Sequence, residues 1–226
     1  MGEKVNTIEL NRMIDHTLLK PEASASDIKR VCDEAKRYNL FSVCINTYYV
    51  PLVAREVKGT DIKVCSIAGF PLGAVDTEVK AFEAGRAVKA GAHEIDMVMN
   101  VGALKSGEFD FVRKDIERVV KVCGKGVIVK VIIEAAVLTD DEKVHACKLV
   151  MEAGAHFVKT STGFGPPGAN VRDVEIMRRV VGLDFGVKAS AGIRTAAFAL
   201  ELVNAGASRI GTSASVAIME ELKGSR

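Results

Sequence analysis

The feature that most constrains the fold is a repeat with a period of 29 residues. The dipeptide Val-Lys recurs at 129–130, 158–159 and 187–188, so that Lys130, Lys159 and Lys188 are spaced 29 residues apart. The tripeptide Ala-Gly-Ala also occurs three times. Each copy ends a helical pattern just before an apolar run, where glycine is the usual helix C-cap. One βα unit has about this length, so we expect the three lysines at equivalent levels of three successive strands.

The same alternation of short apolar runs and longer amphipathic stretches extends along the chain. Eight runs have the character of strands, and they read IDHTLL, FSVCIN, KVCSIAGF, EIDMVMN, VIVKVIIE, FVKTST, GVKASAG and RIGTS. Apolar residues recur at three- and four-residue spacing over 26–38, 77–90, 109–122, 140–152, 171–181 and 195–204, which predicts helices. A further short helix is predicted at residues 5–13, ahead of the first strand.

Eight βα units in 226 residues predict an α/β fold, a (β/α)₈ TIM barrel with a short extra N-terminal helix. The prediction places residues 1–226 in a single domain, and the hydrophobic content of 48% is enough for a sizeable core. The main alternative is an open doubly wound sheet, which usually has fewer strands.

Composition excludes several classes of partner. The net charge is +2 and no basic block stands out, which argues against nucleic-acid binding. The N-terminus lacks the apolar core of a signal peptide, and the most apolar stretch is too short to span a bilayer. Five dispersed cysteines are typical of free thiols in a reducing compartment. We therefore predict a cytoplasmic protein with no membrane partner.

Lys159 lies within an otherwise apolar strand, where burying its charge has a large free-energy cost. If equal spacing means equal register, Lys159 and Lys188 project side by side from neighbouring strands. A second cation nearby, together with desolvation, lowers the pKa of a lysine amine and frees it to form a Schiff base. The competing interpretation is a strand-end lysine with its head in solvent. For Lys130, earlier in its unit, we predict an internal ion pair.

Asp96 is the second candidate, because an acidic residue in the apolar strand EIDMVMN needs a partner. A carboxylate beside a Schiff-base lysine can relay protons. A buried ion pair without a catalytic task explains the motif equally well. Asp15 gives a weaker signal, since it could merely cap a loop.

Small-residue loops after the last three predicted strands indicate an anion site. These loops read STGFGPPG, SAGIRT and RIGTSAS, and barrel phosphate sites are commonly built after strands seven and eight. Gly192, Arg194, Gly211 and Ser213 have the right character for such a site.

Two other patterns are set aside. Gly163, Gly165 and Gly168 form GxGxxG, but two prolines and the place in the sixth unit argue against dinucleotide binding. The four histidines have no ligand spacing, so no metal site is predicted.

The segments DHTLL, VCIN, EIDMVMN, KVIIE, FVKTSTGF, GVKASAGIRT and GASRIGTS, in this order, resemble the deoxyribose-phosphate aldolase family. The resemblance implies a class I aldehyde-lyase that needs no metal or cofactor. Its expected reaction is the reversible cleavage of 2-deoxy-D-ribose 5-phosphate into acetaldehyde and D-glyceraldehyde 3-phosphate. It further implies a homodimer or homotetramer in deoxyribonucleotide catabolism.

The resemblance also implies roles for individual residues. Lys159 corresponds to the Schiff-base lysine, Lys188 to the lysine that lowers its pKa, and Asp96 to the proton shuttle. The residues implied to bind substrate are Asp15, Cys44, Thr162, Gly163, Gly192, Arg194, Gly211 and Ser213.

The chain departs from the family pattern at two positions. Ala191 stands where many members have glycine, and alanine resists positive φ. Phe164 stands where some members have a lysine. Both could weaken phosphate binding. The alternatives are another Schiff-base aldolase or a transaldolase acting on a different phosphorylated sugar, and a phosphate-binding barrel that no longer turns over.

Overall fold

The computed structural model describes residues 10–165 and 167–224. Eight strands form the sheet: β1 Ile14–Leu18, β2 Ser42–Ile45, β3 Lys63–Ala68, β4 Glu94–Val98, β5 Ile128–Ile132, β6 Phe157–Lys159, β7 Gly186–Ser190 and β8 Arg209–Thr212. The α-helices are α1 Ala25–Tyr38, α2 Val50–Glu56, α3 Thr77–Lys89, α4 Val101–Lys105, α5 Phe109–Cys123, α6 Asp140–Glu152, α7 Val171–Val181, α8 Ala196–Asn204 and α9 Ser215–Gly224. None of the helices in these ranges is long and apolar enough to cross a membrane.

The strands form a closed parallel barrel in the order β1 to β8, and β8 pairs back onto β1. The predicted (β/α)₈ barrel is therefore confirmed, and so are its eight strands and six helical stretches. The sequence pattern did not predict the short helices α2 and α4 or the last helix, α9. Most of the helix predicted at residues 5–13 lies outside the described residues, and its described end, Asn11–Met13, is a 3₁₀ turn.

The register of the lysines is partly as predicted. Lys159 pairs with Lys188, so these two side chains do share a level. The prediction is wrong for Lys130, which pairs with Phe157, while Ile132 pairs with Lys159. Closing a barrel requires neighbouring strands to be staggered, and a shift of two residues keeps each side chain on its own face. The stagger places Lys130 deeper in the barrel than Lys159.

Local sequence explains where the helices begin and end. Capping boxes start α1 at Ser24 and α6 at Thr139, each with an acidic residue three positions later. The three Ala-Gly-Ala sequences end α3, α6 and α8 as predicted, with Gly91, Gly154 and Gly206 at positive φ. These turns return the chain to the amino end of the barrel, so the carboxyl ends of all strands meet at the opposite end.

The two faces of the barrel strands contact different surroundings: one packs against the helices and the other faces the barrel axis. Apolar residues such as Val43, Val64, Ile95 and Val129 are fully buried in the core cluster formed with the helices. The alternate strand positions face the barrel axis, where branched aliphatic residues usually dominate. In this protein several of those axial positions are occupied by charged residues.

Candidate active site

A cluster of buried ionisable side chains fills the axis of the barrel. We call it the buried charge cluster, and its members are Asp15, Glu94, Asp96, Lys130, Lys159, Lys188 and Arg209. They come from β1, β4, β5, β6, β7 and β8, and ion pairs join every member to at least one other. The fold thus brings together all three predicted catalytic residues.

Asp96 lies at the centre of this cluster. Its Oδ2 accepts hydrogen bonds from Lys159 Nζ and Lys188 Nζ, both at 2.7 Å. Its Oδ1 accepts from Lys130 Nζ at 2.8 Å. Burial alone would raise the pKa of the Asp96 carboxyl, but the three ammonium groups outweigh burial and hold it well below its ordinary value. Asp96 is therefore a carboxylate shared by two lysines at one oxygen.

Lys188 is held as an ammonium ion. It donates to Asp15 as well as to Asp96, and Asp15 also accepts from Ser42 Oγ at 2.6 Å and from Arg209 at 2.9 Å. Burial lowers the pKa of the Lys188 amine, but the two carboxylates raise it above its ordinary value. The pKa of Asp15 is correspondingly lowered, since its cationic neighbours outweigh burial. Lys188 thus places a fixed positive charge beside Lys159.

Lys130 and Arg209 form the deeper level of the cluster. Lys130 contacts Glu94 at 2.6 Å, and Arg209 donates to the same carboxylate at 3.0 Å. The Arg209 guanidinium also stacks on Phe41, 3.6 Å from the ring centre. The internal ion pair predicted for Lys130 is confirmed, and Glu94 and Arg209 are members of the cluster that were not predicted from the sequence.

The cluster contains four cationic groups and only three carboxylates. Lys159 has the fewest partners, because Asp96 is its single carboxylate contact. Its side chain is also 4% exposed, while Lys130 and Lys188 are completely buried. Lys159 is therefore the lysine of the cluster with the fewest carboxylate contacts and with some access to the carboxyl end of the barrel.

A cavity of about 480 Å³ opens above the cluster at the carboxyl ends of the strands, and we call it the mouth cavity. Lys159 lines it together with six predicted substrate-binding residues: Thr162, Gly163, Gly192, Arg194, Gly211 and Ser213. The other two, Asp15 and Cys44, do not line it, because both side chains are fully buried among the barrel residues. Asp15 instead contacts Lys188 and Arg209.

The loops around the mouth cavity depend on unusual backbone positions. Gly163 and Gly192 have positive φ, and so does Ala191 at 74°. The loop therefore keeps the left-handed conformation at Ala191 although alanine disfavours it. Gly211 has a different reason to lack a side chain, because an added Cβ would lie 2.9 Å from Lys188 Cε and would overlap Ser190 Oγ.

Two further residues shape this end of the barrel. Phe164 is exposed at the rim and packs edge-to-face on Phe70, with ring centres 5.2 Å apart. Glu134, at φ 50°, accepts hydrogen bonds from the Thr162 backbone N–H and from Thr162 Oγ1 at 2.5 Å. Glu134 was not predicted as a site residue, although an acidic residue ending the apolar run VIVKVIIE was a usable signal. It ties the loop after Lys159 to the end of β5.

Cys44 and Cys65 are paired residues of β2 and β3. The groups Cys44, Cys65, Asp96 and Asp15, Cys65, Glu94 each bring three possible metal ligands within 4.8 Å of one another. The carboxylates in both groups already contact the ammonium or guanidinium groups of Lys130, Lys188 or Arg209. These donors are therefore satisfied by side-chain cations.

Comparison with known proteins identifies the family of this chain. The family model described as DeoC/LacD family aldolase matches residues 11–219. The chain belongs to the DeoC/LacD family of aldolases.

Named aldolases are similar over nearly the whole length. A deoxyribose-phosphate aldolase of Enterococcus faecalis is 56% identical over 217 residues, which are 96% of this chain and 99% of the relative. One of Thermococcus gammatolerans is 56% identical over 216 residues, 94% of this chain and 96% of the relative. The tetrameric deoxyribose phosphate aldolase of Aeropyrum pernix has a similar structure, with a TM-score of 0.91 and 34% identity over 98% of this chain and 94% of that one.

Proposed function

We propose that this aldolase reversibly cleaves 2-deoxy-D-ribose 5-phosphate into acetaldehyde and D-glyceraldehyde 3-phosphate through a Schiff base on Lys159. The observation that carries the proposal is the Asp96 oxygen shared by Lys159 and Lys188 at the floor of the mouth cavity. The names of relatives at 56% identity support the choice of substrate.

The first half of the reaction forms an iminium ion. The free amine of Lys159 attacks the aldehyde carbon C1, and the carbinolamine then loses water. Asp96, kept as a carboxylate by its cationic neighbours, can take a proton from the attacking nitrogen and return one to the departing hydroxyl.

The second half breaks the carbon–carbon bond. A base removes the proton of the C3 hydroxyl, the C2–C3 bond breaks, and its electron pair enters the iminium to give an enamine. D-Glyceraldehyde 3-phosphate leaves. The enamine is then protonated at C2, and water releases acetaldehyde and the free amine. Asp96 is positioned to relay both protons, because it contacts the reacting nitrogen directly.

The test is reductive trapping with acetaldehyde and sodium borohydride, followed by intact mass and peptide mapping. We expect one ethyl group on Lys159, and we expect 2-deoxyribose 5-phosphate to block its addition. Lys159→Leu should give no adduct and lose turnover by roughly 10⁴-fold or more, with the fold retained. Adducts spread over surface lysines, with Lys159 unmodified, would contradict the proposal.

Asp96→Asn separates adduct formation from proton transfer. The amide keeps the shape of the side chain but cannot accept a proton, so we expect some trapped adduct to form, more slowly than in wild type, while turnover falls by about 10²-fold or more. Turnover at the wild-type rate would remove Asp96 from the mechanism. Products other than acetaldehyde, seen with a panel of phosphorylated sugars, would favour the transaldolase-like alternative.

We also propose that the protein acts as a homodimer or homotetramer in the cytoplasm. The tetrameric relative from Aeropyrum pernix supports an oligomer. All five cysteines are buried free thiols, which fits a reducing compartment. Light scattering of the purified protein tests the assembly, and a single monomeric mass at micromolar concentration would contradict it.

A further inference from the structure

The ionisable residues that line the mouth cavity are all basic. Lys20, Lys159 and Arg194 line it, and no aspartate or glutamate does so within residues 10–165 and 167–224. A cavity with this lining attracts anions. The nucleophile and Arg194 belong to the site already proposed, whereas Lys20 was not predicted from the sequence.

Barrel closure brings Lys20 to the phosphate loops. Lys20 follows β1, which pairs with β8 through Asp15 and Gly211. The loop after β1 therefore lies beside the loop after β8, which carries Ser213. These segments are at opposite ends of the chain, so sequence spacing could not reveal their proximity.

The backbone holds the start of this loop in place. The Leu19 side chain is buried, and its carbonyl accepts a hydrogen bond from Asn46 Nδ2 at 3.3 Å. The Lys20 carbonyl accepts one from the Ala23 N–H at 3.2 Å, just before Ser24 caps α1. Lys20 is thus presented from a fixed point although its side chain is exposed.

Three polar side chains that line the cavity lack partners among the described residues. Neither Lys20 nor Arg194 has an ion pair within the described part of the chain, unlike every cation of the buried charge cluster. Ser190 Oγ, on a side chain only 5% exposed, also has no hydrogen-bond partner among the described residues. Unpaired buried polar groups are rare in proteins, and this one lines the cavity. Lys20, Arg194 and Ser190 Oγ can therefore donate hydrogen bonds to a ligand bound in the cavity.

We propose that Lys20 supplies the second cation for the substrate phosphate, opposite Arg194, and so determines the preference for phosphorylated over unphosphorylated sugars. The inference rests on the proposed function. It explains how the chain manages without a lysine at position 164, where Phe164 brings no charge. The positive charge comes from the loop after β1 instead of the loop after β6.

Steady-state cleavage of 2-deoxyribose 5-phosphate and of 2-deoxyribose tests this role. For Lys20→Gln we expect KM for the phosphorylated sugar to rise about tenfold, the lower end for losing a charged hydrogen bond, with kcat unchanged. The kcat/KM for 2-deoxyribose should not change, because that sugar has no phosphate. Inhibition by inorganic phosphate should weaken by a similar factor. Lys20→Arg should remain within about threefold of wild type, since it keeps the charge.

Lys58→Gln is the matched control. Lys58 is also exposed and unpaired within the described residues, but it follows α2 at the amino end of the barrel. We expect no change in KM for either sugar. The substitution Phe164→Lys in the Lys20→Gln background should recover most of the lost KM, because it returns a cation to the opposite rim.

The outcomes separate the two proposals. If the wild-type protein does not cleave 2-deoxyribose 5-phosphate, the proposed function fails. If it does, and Lys20→Gln leaves KM and phosphate inhibition at wild-type values, Lys20 has no role in phosphate binding. Equal losses with both sugars would likewise overturn the inference, since they would show a general effect on the barrel mouth.

Discussion

The buried charge cluster and the mouth cavity both carry positive charge, but they compensate it differently. In the cluster, every cation contacts at least one carboxylate, and Asp96 alone contacts three lysines. In the cavity, Lys20 and Arg194 have no ion-pair partner in the described residues. The charges of the cluster are compensated by side chains, whereas no described carboxylate compensates the two cavity cations.

Because their charges are compensated differently, the buried charge cluster and the mouth cavity have different roles. Charges buried in the cluster interact strongly, and removing one partner of a buried pair costs a large part of the free energy of folding. The pairs therefore stabilise a fixed arrangement around Lys159. Charges in the solvent-open cavity contribute little to folding and remain available for binding. Substitutions in the cluster should therefore affect stability and chemistry, and substitutions in the cavity should affect substrate affinity alone.

Lys130→Met should give the largest loss of stability. It leaves Asp96 and Glu94 with one fewer buried cation, so we expect the free energy of unfolding to fall by about 3–5 kcal/mol in urea titrations. The matched control is Lys105→Met, which breaks the ion pair with Glu142 at a lysine that is 43% exposed. That change should cost about 0–1 kcal/mol. Equal losses for both variants would refute the distinction.

Acid should weaken the cluster before it affects the cavity cations. The pKa values of Asp15 and Asp96 lie below the ordinary 3.8, so the unfolded chain takes up protons that the native state refuses. Their contribution is present above pH 3.8 and is lost as pH falls below it, by about 1.4 kcal/mol per pH unit for each group. Urea titrations from pH 4.5 to 3.0 should show a shallower slope for Asp96→Asn than for wild type. An unchanged slope would contradict the depressed pKa.

Arg194→Gln tests the other side of the comparison. We expect KM for 2-deoxyribose 5-phosphate to rise about tenfold through loss of a charged hydrogen bond. The free energy of unfolding should stay within roughly 0.5 kcal/mol of wild type, because Arg194 is exposed and unpaired in the described structure. A stability loss comparable to that of Lys130→Met would place Arg194 in the structural framework.

Ala191→Gly should give the smallest effect and the opposite sign. Ala191 has φ 74°, and glycine removes the steric penalty of that conformation. Part of the gain is offset by the greater freedom of glycine in the unfolded chain, so we expect stabilisation of about 0.5–1 kcal/mol. Ala189→Gly, in the buried strand β7, is the control and should destabilise. A loss of stability in Ala191→Gly would show that the methyl group packs favourably.

Much of the fold could be predicted from the sequence because its repeat is local. A βα unit is specified by an apolar run, a helical pattern and a glycine that ends the helix, and the three Ala-Gly-Ala sequences behave as predicted. The level of Lys130 was predicted wrongly, because stagger between strands is a property of the closed barrel and not of any one unit.

Part of the candidate site could likewise be predicted from the sequence, and part of it could not. Lys159, Lys188 and Asp96 interrupt apolar strands, so their sequence positions alone mark them as unusual. Arg209 is the first residue of β8, and it donates hydrogen bonds to Asp15 on β1 and to Glu94 on β4. These contacts connect strands from the two ends of the chain with a strand near its middle. The buried placement of Asp15 and Cys44, away from the mouth cavity, also could not be predicted from a motif.

The sequence by itself determined the (β/α)₈ architecture, the lysine pair and its aspartate, because period and alternation fix which residues face the axis. Only the tertiary structure decided which charges neutralise one another and which remain open. Ion pairing depends on distances of a few ångströms between strands that are far apart in the chain. The closure of β8 on β1 sets those distances, and it also brings Lys20 to the substrate phosphate in the role we propose.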